Sequence, residues 1–354
     1  MLQSDPLSDV QWPIAWAEAR LRKYMAEISG ITLITLALVL AAEFVNGWTD
    51  APNAIATVVS TRVLRPLPAI VMATALNIVG AFSGTAVAQT LGKGIVKAEI
   101  INLETISAAM VGIVVWSTLA WWRGLPTSES HALVSGLAGA GLATAGPDVL
   151  VWEGWRKVLI GLVFSTFLGF IGALLLAALI FRIFFAARPG TVRRIFGKAQ
   201  ILSAAFMAYS HGSNDGQKFI GVFALALFLG GLSPTFAIPG WVIWTCALTM
   251  GLGTAIGGWR IVRTMGLRLT KLQPVDGFCA ETGAALTIEL ATRLGVPLST
   301  THTISMAIMG VGTTRRFSAV RWGVGREIVT AWVLTFPVCG FIAWSVASLL
   351  QMLK

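Results

Sequence analysis

Long apolar stretches alternate with short polar ones along nearly the whole chain. One set falls near residues 31–61, 67–91, 104–122, 128–146 and 157–186. A second falls near 200–231, 239–258, 278–294, 297–314 and 327–350. A helix needs about 20 apolar residues to cross a bilayer, and several of these runs are too short or too polar to do so simply. The pattern predicts an all-α membrane protein with about five membrane segments in each of two repeats, including broken helices and re-entrant hairpins. An odd number per half turns the second half upside down, giving inverted repeats. The expected division is an N-terminal segment over 1–30, a first repeat over 31–186, a short basic linker over 187–198 and a second repeat over 199–354. Within the first segment Val10, Ile14, Ala17, Leu21, Tyr24 and Ile28 recur at helical spacing. That spacing predicts an amphipathic helix on the membrane surface, a disordered tail being the other reading.

Composition agrees with the pattern. Of 354 residues, 56% are hydrophobic and 12% charged, and the mean hydropathy is +0.78. Soluble domains run near a quarter charged, so only a lipid environment accommodates this chain. The net charge of +10 does not indicate nucleic acid, because Lys and Arg lie mostly between the apolar runs, where they direct topology. If each segment crosses once, sixteen of them fall on one face and nine on the other, leaving Lys218 inside the membrane. The richer face is expected in the cytoplasm, with both termini outside. Cys246, Cys279 and Cys339 are too dispersed for a disulfide framework or a metal site.

A duplicated pair of polar motifs interrupts the apolar runs. Asn46-Gly47-Trp48-Thr49-Asp50 aligns with His211-Gly212-Ser213-Asn214-Asp215, Gly and Asp each recurring 165 residues later. Pro126-Thr127-Ser128-Glu129-Ser130-His131 aligns with Pro297-Leu298-Ser299-Thr300-Thr301-His302, with Pro, Ser and His 171 residues apart. Gly139 and Gly141 recur as Gly310 and Gly312 at that same separation. Two motifs repeated in order at nearly equal offsets indicate an internal duplication.

These residue types suit ion and anion binding. A carboxylate at bilayer depth is costly and faces a cavity or a partner. Gly47 and Pro52, and Gly212 and Gly216, weaken helices around Asp50 and Asp215. A break there offers carbonyls to a cation and a half-helix start to an anion. Asp50, Asn53, Asp215, Asn46 and Glu43 are therefore candidate cation-coupling residues, Glu43 lying two turns before Asp50. Lys218 neutralises either Asp215 or a bound anion; the sequence leaves both open. Pro opens a helix well, so Ser128, Ser130, Ser299, Thr300 and Thr301 are expected at helix starts with amides and hydroxyls for a tetrahedral oxyanion. Ordinary N-capping is the alternative. Asn214, Gln217 and Lys218 join them as candidate substrate ligands. His131, His302 and His211 are candidate proton relays, or else core histidines. No ATP-binding motif, catalytic constellation or metal-ligand spacing is present, so neither an enzyme nor a bound cofactor is expected.

At these motifs the chain resembles the inorganic phosphate transporter family, often called PiT, and its bacterial branch in particular. Gly47-x-x-Asp50-x-x-Asn53 is similar to that family's first signature, and Ser210-His211-Gly212-Ser213-Asn214-Asp215-Gly216-Gln217-Lys218 to its second. The resemblance runs from about residue 31 to the C-terminus. It implies a multi-pass symporter of the inner (plasma) membrane. Such a protein takes up inorganic phosphate, free or as a metal–phosphate complex, with H+ or Na+ by alternating access. Thr49 and Pro52 depart from the usual pattern, and Asn77 stands near where eukaryotic sodium-coupled members carry Glu; the latter favours H+ over Na+. Membrane lipids and a second copy in a homodimer are the expected partners. The alternatives are a sulfate permease on the same scaffold and an intramembrane lipid-phosphate enzyme.

Overall fold

The computed structural model describes residues 29–353. The expected surface helix over residues 1–30 lies almost wholly outside the described residues. The first half comprises α1 (Gly30–Ser60), α2 (Pro66–Ala81), α3 (Ala86–Gly94), α4 (Leu103–Trp122), α5 (Glu129–Ala145) and α6 (Trp152–Ile183). The second comprises α7 (Pro189–Leu229), α8 (Gly240–Ile256), α9 (Trp259–Arg263), α10 (Pro274–Arg293), α11 (Thr300–Thr313) and α12 (Trp322–Met352). Each half runs in the order long helix, broken pair, 20-residue helix, short helix, long helix. By length and composition α1, α4, α6 and α12 are each able to cross a membrane. The α2–α3 pair, bent by 70°, and α8 with the Trp259–Arg268 stretch, bent by 58°, bring the number to six. The chain is thus an all-helical, multi-pass membrane protein.

Two sequence expectations need correction. Asp50 and Asp215 do not sit on broken helices: α1 and α7 run unbroken through both motifs, with Pro52 inside α1. The breaks fall instead near Ser83 and Gly257. Gly47 and Gly212 serve close packing rather than a break in the helix. A methyl at Gly47 would stand 2.2 Å from the Met250 carbonyl oxygen, and one at Gly212 2.1 Å from that of Asn77. Pro52 costs α1 one ladder bond, a loss that a packed helix tolerates, and Gly258 fits closely against the Trp48 carbonyl so released. Pro126 and Pro297, expected in the first turns of α5 and α11, precede the N-caps Ser128 and Ser299. Proline disfavours helical geometry in the residue before it and pre-sets extended entry. Much of the basic stretch 187–198 is also helical, because Pro189 starts α7.

The halves interlock. The short helix of each packs on the last long helix of the other, α5 on α12 and α11 on α6. The broken pair of each lies on the motif helix of the other, α2 on α7 and α8 on α1. The duplicated glycines mark the tightest points. A Cβ at Gly139 would be 2.0 Å from the Gly340 carbonyl oxygen, and one at Gly310 2.3 Å from that of Phe170. Two apolar cores result, each built from both halves. One surrounds α4 and α5 and takes in Phe219, Phe223 and Cys339; the other surrounds α10 and α11 and takes in Ile55, Ala173 and Met207. Where helices associate inside lipid, small residues and close backbone approach supply the packing. Burial of the polar motif residues follows from this interlocking, because α1, α5, α7 and α11 are each enclosed by elements of both halves.

Candidate functional site

The four motif segments converge between the two cores. The capping predicted as the plainer reading of two hydroxyls is present: Ser128 Oγ accepts from the His131 amide at 3.3 Å and Ser299 Oγ from the His302 amide at 3.2 Å. The remaining hydroxyls of α11's first turn reach the motif helices α1 and α7. Thr301 Oγ1 donates to Asp50 Oδ1 at 3.1 Å, and Thr300 Oγ1 to Asp215 Oδ2 at 3.0 Å. Asn53 Nδ2 donates to Thr301 Oγ1 at 2.9 Å. Both motif carboxylates therefore meet the start of α11, not one short helix each.

Lys218 is fully buried and its ammonium has three acceptors. They are Asp215 Oδ1 at 2.6 Å, Ser130 Oγ at 2.5 Å and the Leu298 carbonyl at 3.0 Å. Three donors meet three acceptors, which a buried ammonium requires. Of the two readings open for Lys218, this geometry presents neutralisation of Asp215. Ser130 in turn donates to the Leu298 carbonyl at 2.6 Å, so one cation ties the starts of α5 and α11 together.

α1 presents the opposite condition. Glu43 Oε1, Asn46 Oδ1, Asp50 Oδ2 and Asn53 Oδ1 are buried oxygens with no hydrogen-bond partner among the described residues. Glu43 Oε2 accepts from the Asn46 side-chain Nδ2, at 3.0 Å. At spacings of three and four residues these side chains share one face and form a file about 15 Å long. Buried acceptors are almost always paired with donors, and a row of unpaired ones is the donor set a hard cation or a travelling proton uses. His211 adjoins it. Its Nδ1 lies 3.1 Å from Asn77 Oδ1 and its Nε2 3.6 Å from Asp215 Oδ2. Ligand atoms of Asp50, His211 and Asp215 all lie within 4.8 Å of one another.

Other predicted residues are placed differently. Gln217 accepts from the Val87 amide at 3.0 Å and donates to the Ser213 carbonyl at 2.7 Å, joining the start of α3 to α7. Asn214 donates to Thr292 at 2.8 Å and keeps Oδ1 unpaired. His131 and His302 meet edge to face with ring centroids 4.5 Å apart, and His302 stacks on Trp332 at 3.6 Å. Two carboxylates left out of the candidate set are buried here as well. Glu129 takes Thr49 and Ser117, both at 2.8 Å. Glu281 takes Thr57 at 2.5 Å, Gln200 at 3.1 Å and Ser203. The signal available for both was an acidic residue in a small-residue apolar stretch, but their hydroxyl partners are distant in sequence.

Comparison with known proteins agrees with this arrangement. The sequence profile described as "Phosphate transporter family" matches residues 46–343. A protein of Rhizobium meliloti (strain 1021) named "Probable low-affinity inorganic phosphate transporter" is 47% identical over 310 residues, 87% of this chain and 93% of that relative. One of the same name from Bacillus subtilis (strain 168) is 37% identical, covering 90% of this chain and 98% of its own. The solved structure titled "The sodium-dependent phosphate transporter" superposes with a TM-score of 0.83 at 25% identity, over 92% of this chain and all of that one. With interlocked helical halves, paired motifs and a profile match spanning both, this chain belongs to the phosphate transporter family.

Proposed function

We propose that the protein is a symporter of the cell membrane that carries inorganic phosphate together with a cation, H+ in preference to Na+, by alternating access. The observation that carries the cation assignment is the file of four unpaired buried oxygens on α1, from Glu43 to Asn53. Phosphate fits the starts of α5 and α11 beside helix N-termini, where Ser130, Thr300, Thr301 and Asn53 would turn to the anion the donors they now give to Leu298, Asp215, Asp50 and Thr301. Lys218 neutralises Asp215, whereas Asp50, which meets the same helix start, has no basic partner among the described residues. A proton on Asp50 Oδ2, or a cation between Asp50, Asp215 and His211, balances part of the charge that phosphate brings. The imidazole nitrogen in that group suits a proton better than Na+, whose ligands are oxygens.

The exchanged packing of α5 on α12 and α11 on α6 supports inverted repeats that rock against each other around one site. The richer basic face is then cytoplasmic and the termini outside. The relatives' names favour neither the sulfate permease nor the lipid-phosphate enzyme. A site with carboxylate acceptors also suits phosphate, which near neutral pH still carries a proton, better than sulfate. Labelled-phosphate uptake into proteoliposomes tests the reading. Imposed proton gradients should drive accumulation, and excess sulfate should compete poorly. Uptake indifferent to both proton and sodium gradients would rule out symport.

A further inference from the structure

The start of α12 separates two cavities of opposite character. On one side a groove of about 520 Å³ runs between α11 and α12, walled by Met306, Met309, Val329, Val333 and Leu334, with Arg326 at one end. On the other a polar pocket of about 380 Å³ is lined by Lys271, Arg315, Arg316 and Arg321. Trp322 lines the first and Arg321, its neighbour in sequence, the second, so the two adjoin. In the polar pocket only Asp276 opposes the cations, and it is held by Arg315 at 2.9 Å. Arg321 donates to the Arg268 carbonyl at 3.4 Å, and Arg326 and Arg316 have no carboxylate partner among the described residues.

The groove faces outward. Val329, Val333 and Leu334 are 43%, 65% and 44% exposed on a helix apolar enough to span the membrane, so their environment is lipid. Trp322, Arg326, Val329 and Val333 follow one stripe of α12 about 16 Å long. Phe317 stacks on Trp322 at 4.4 Å, an aromatic pair of the kind found at the membrane–water boundary. From that boundary inward the stripe reads aromatic pair, guanidinium, then apolar wall. That is the profile of an amphiphile with an anionic head and a hydrocarbon tail.

We propose that an anionic phospholipid docks here, one acyl chain in the α11–α12 groove and its phosphodiester among Arg326, Arg321 and Arg316. Charge complementarity selects the anionic headgroup, and the apolar wall distinguishes a lipid from free phosphate. Because the groove wall is α11, whose start forms the transport site, the bound lipid braces that helix from outside.

Native mass spectrometry of the full-length protein, purified in mild detergent and offered equal phosphatidylglycerol and phosphatidylcholine, tests this. Retention of phosphatidylglycerol should exceed that of phosphatidylcholine by roughly fivefold or more, each basic residue near an anionic headgroup contributing about that factor. Arg326→Gln should reduce the preference. Val329→Trp, which fills the groove, should abolish retention of either lipid. Both positions are exposed, so both variants should elute as the wild type does. Inorganic phosphate in millimolar excess should leave the bound lipid in place. Equal retention of the two lipids, an unchanged Val329→Trp variant, or displacement by phosphate alone would overturn the proposal. So would a second copy of the chain that Val329→Trp dissociates, since the groove would then be an interface between copies.

Discussion

Lys218 Nζ, on the motif helix of the second half, lies 2.5 Å from Ser130 Oγ, at the start of the short helix of the first. With Asp215 at 2.6 Å and the Leu298 carbonyl at 3.0 Å, the ammonium joins three separate segments. Removing one member of a buried ion pair leaves an uncompensated charge and is destabilising by about 3–5 kcal/mol. Lys218→Met should therefore lower the thermal unfolding midpoint in detergent markedly, and Lys218→Met with Asp215→Asn should recover most of the loss. A single variant as stable as the wild type would remove Lys218 from its structural role.

Thr301 stands between Asp50 and Asn53, donating to one and accepting from the other. Thr301→Val keeps the volume and deletes both bonds. A hydrogen bond to a charged group is worth about 1.5–3 kcal/mol, so the phosphate concentration for half-maximal uptake should rise roughly 10- to 100-fold. Thr301→Ser should stay near wild type. The concentration dependence of initial uptake rates gives the answer, and equal effects of Val and Ser would point to packing instead.

The interlock of the halves predicts a matched pair of effects. Gly139→Ala and Gly310→Ala each drive a methyl into a backbone carbonyl of the other half, and overpacking of this kind is destabilising by about 1–3 kcal/mol. Gly172→Ala provides the control. It lies in α6 with nothing within 4 Å of the added Cβ, so helix propensity should make it neutral or stabilising. Unfolding midpoints in one detergent compare all three, and a Gly139→Ala protein as stable as Gly172→Ala would contradict the packing account.

Glu129 is held by two hydroxyls, Thr49 from α1 and Ser117 from α4. Glu129→Gln should preserve the fold, because hydroxyls accept as readily as they donate. Glu129→Leu leaves Ser117 unpaired, at about 1–3 kcal/mol for the buried group, while Thr49 keeps the Val45 carbonyl at 2.9 Å. Thermal stability should fall only for Leu, and a similar fall for both would show that the charge itself is needed.

The membrane class, the two halves and the motif residues were legible because each has a local signature: a long apolar run, a recurring Gly-x-x-Asp, a Pro-x-Ser-x-x-His. Glu43, Asn46, Asp50 and Asn53 could be placed on one face from spacing alone, and they share it. What spacing does not carry is which partner a side chain meets. Ser128 and Ser299 are candidate ligands in sequence, and what spacing does not show is that each Oγ also accepts from the amide three residues on, leaving its hydrogen to donate. Gly47 and Gly212 read as helix breakers because glycine's conformational freedom is visible in sequence, whereas close approach to Met250 and Asn77 is not. Glu129 and Glu281 stand out in sequence as acidic residues in apolar stretches, but their hydroxyl partners lie on other helices and spacing does not show them.

Asp50 is proposed to link phosphate movement to the cation, and counterflow against accumulation in the same proteoliposomes tests that link most directly. Wild type should exchange phosphate and also concentrate it when an inward proton gradient is imposed. Asp50→Asn, which keeps an acceptor oxygen for Thr301, should still exchange labelled for unlabelled phosphate but fail to accumulate it under either a proton or a sodium gradient. Gradient-driven accumulation by Asp50→Asn at the wild-type rate would contradict the account.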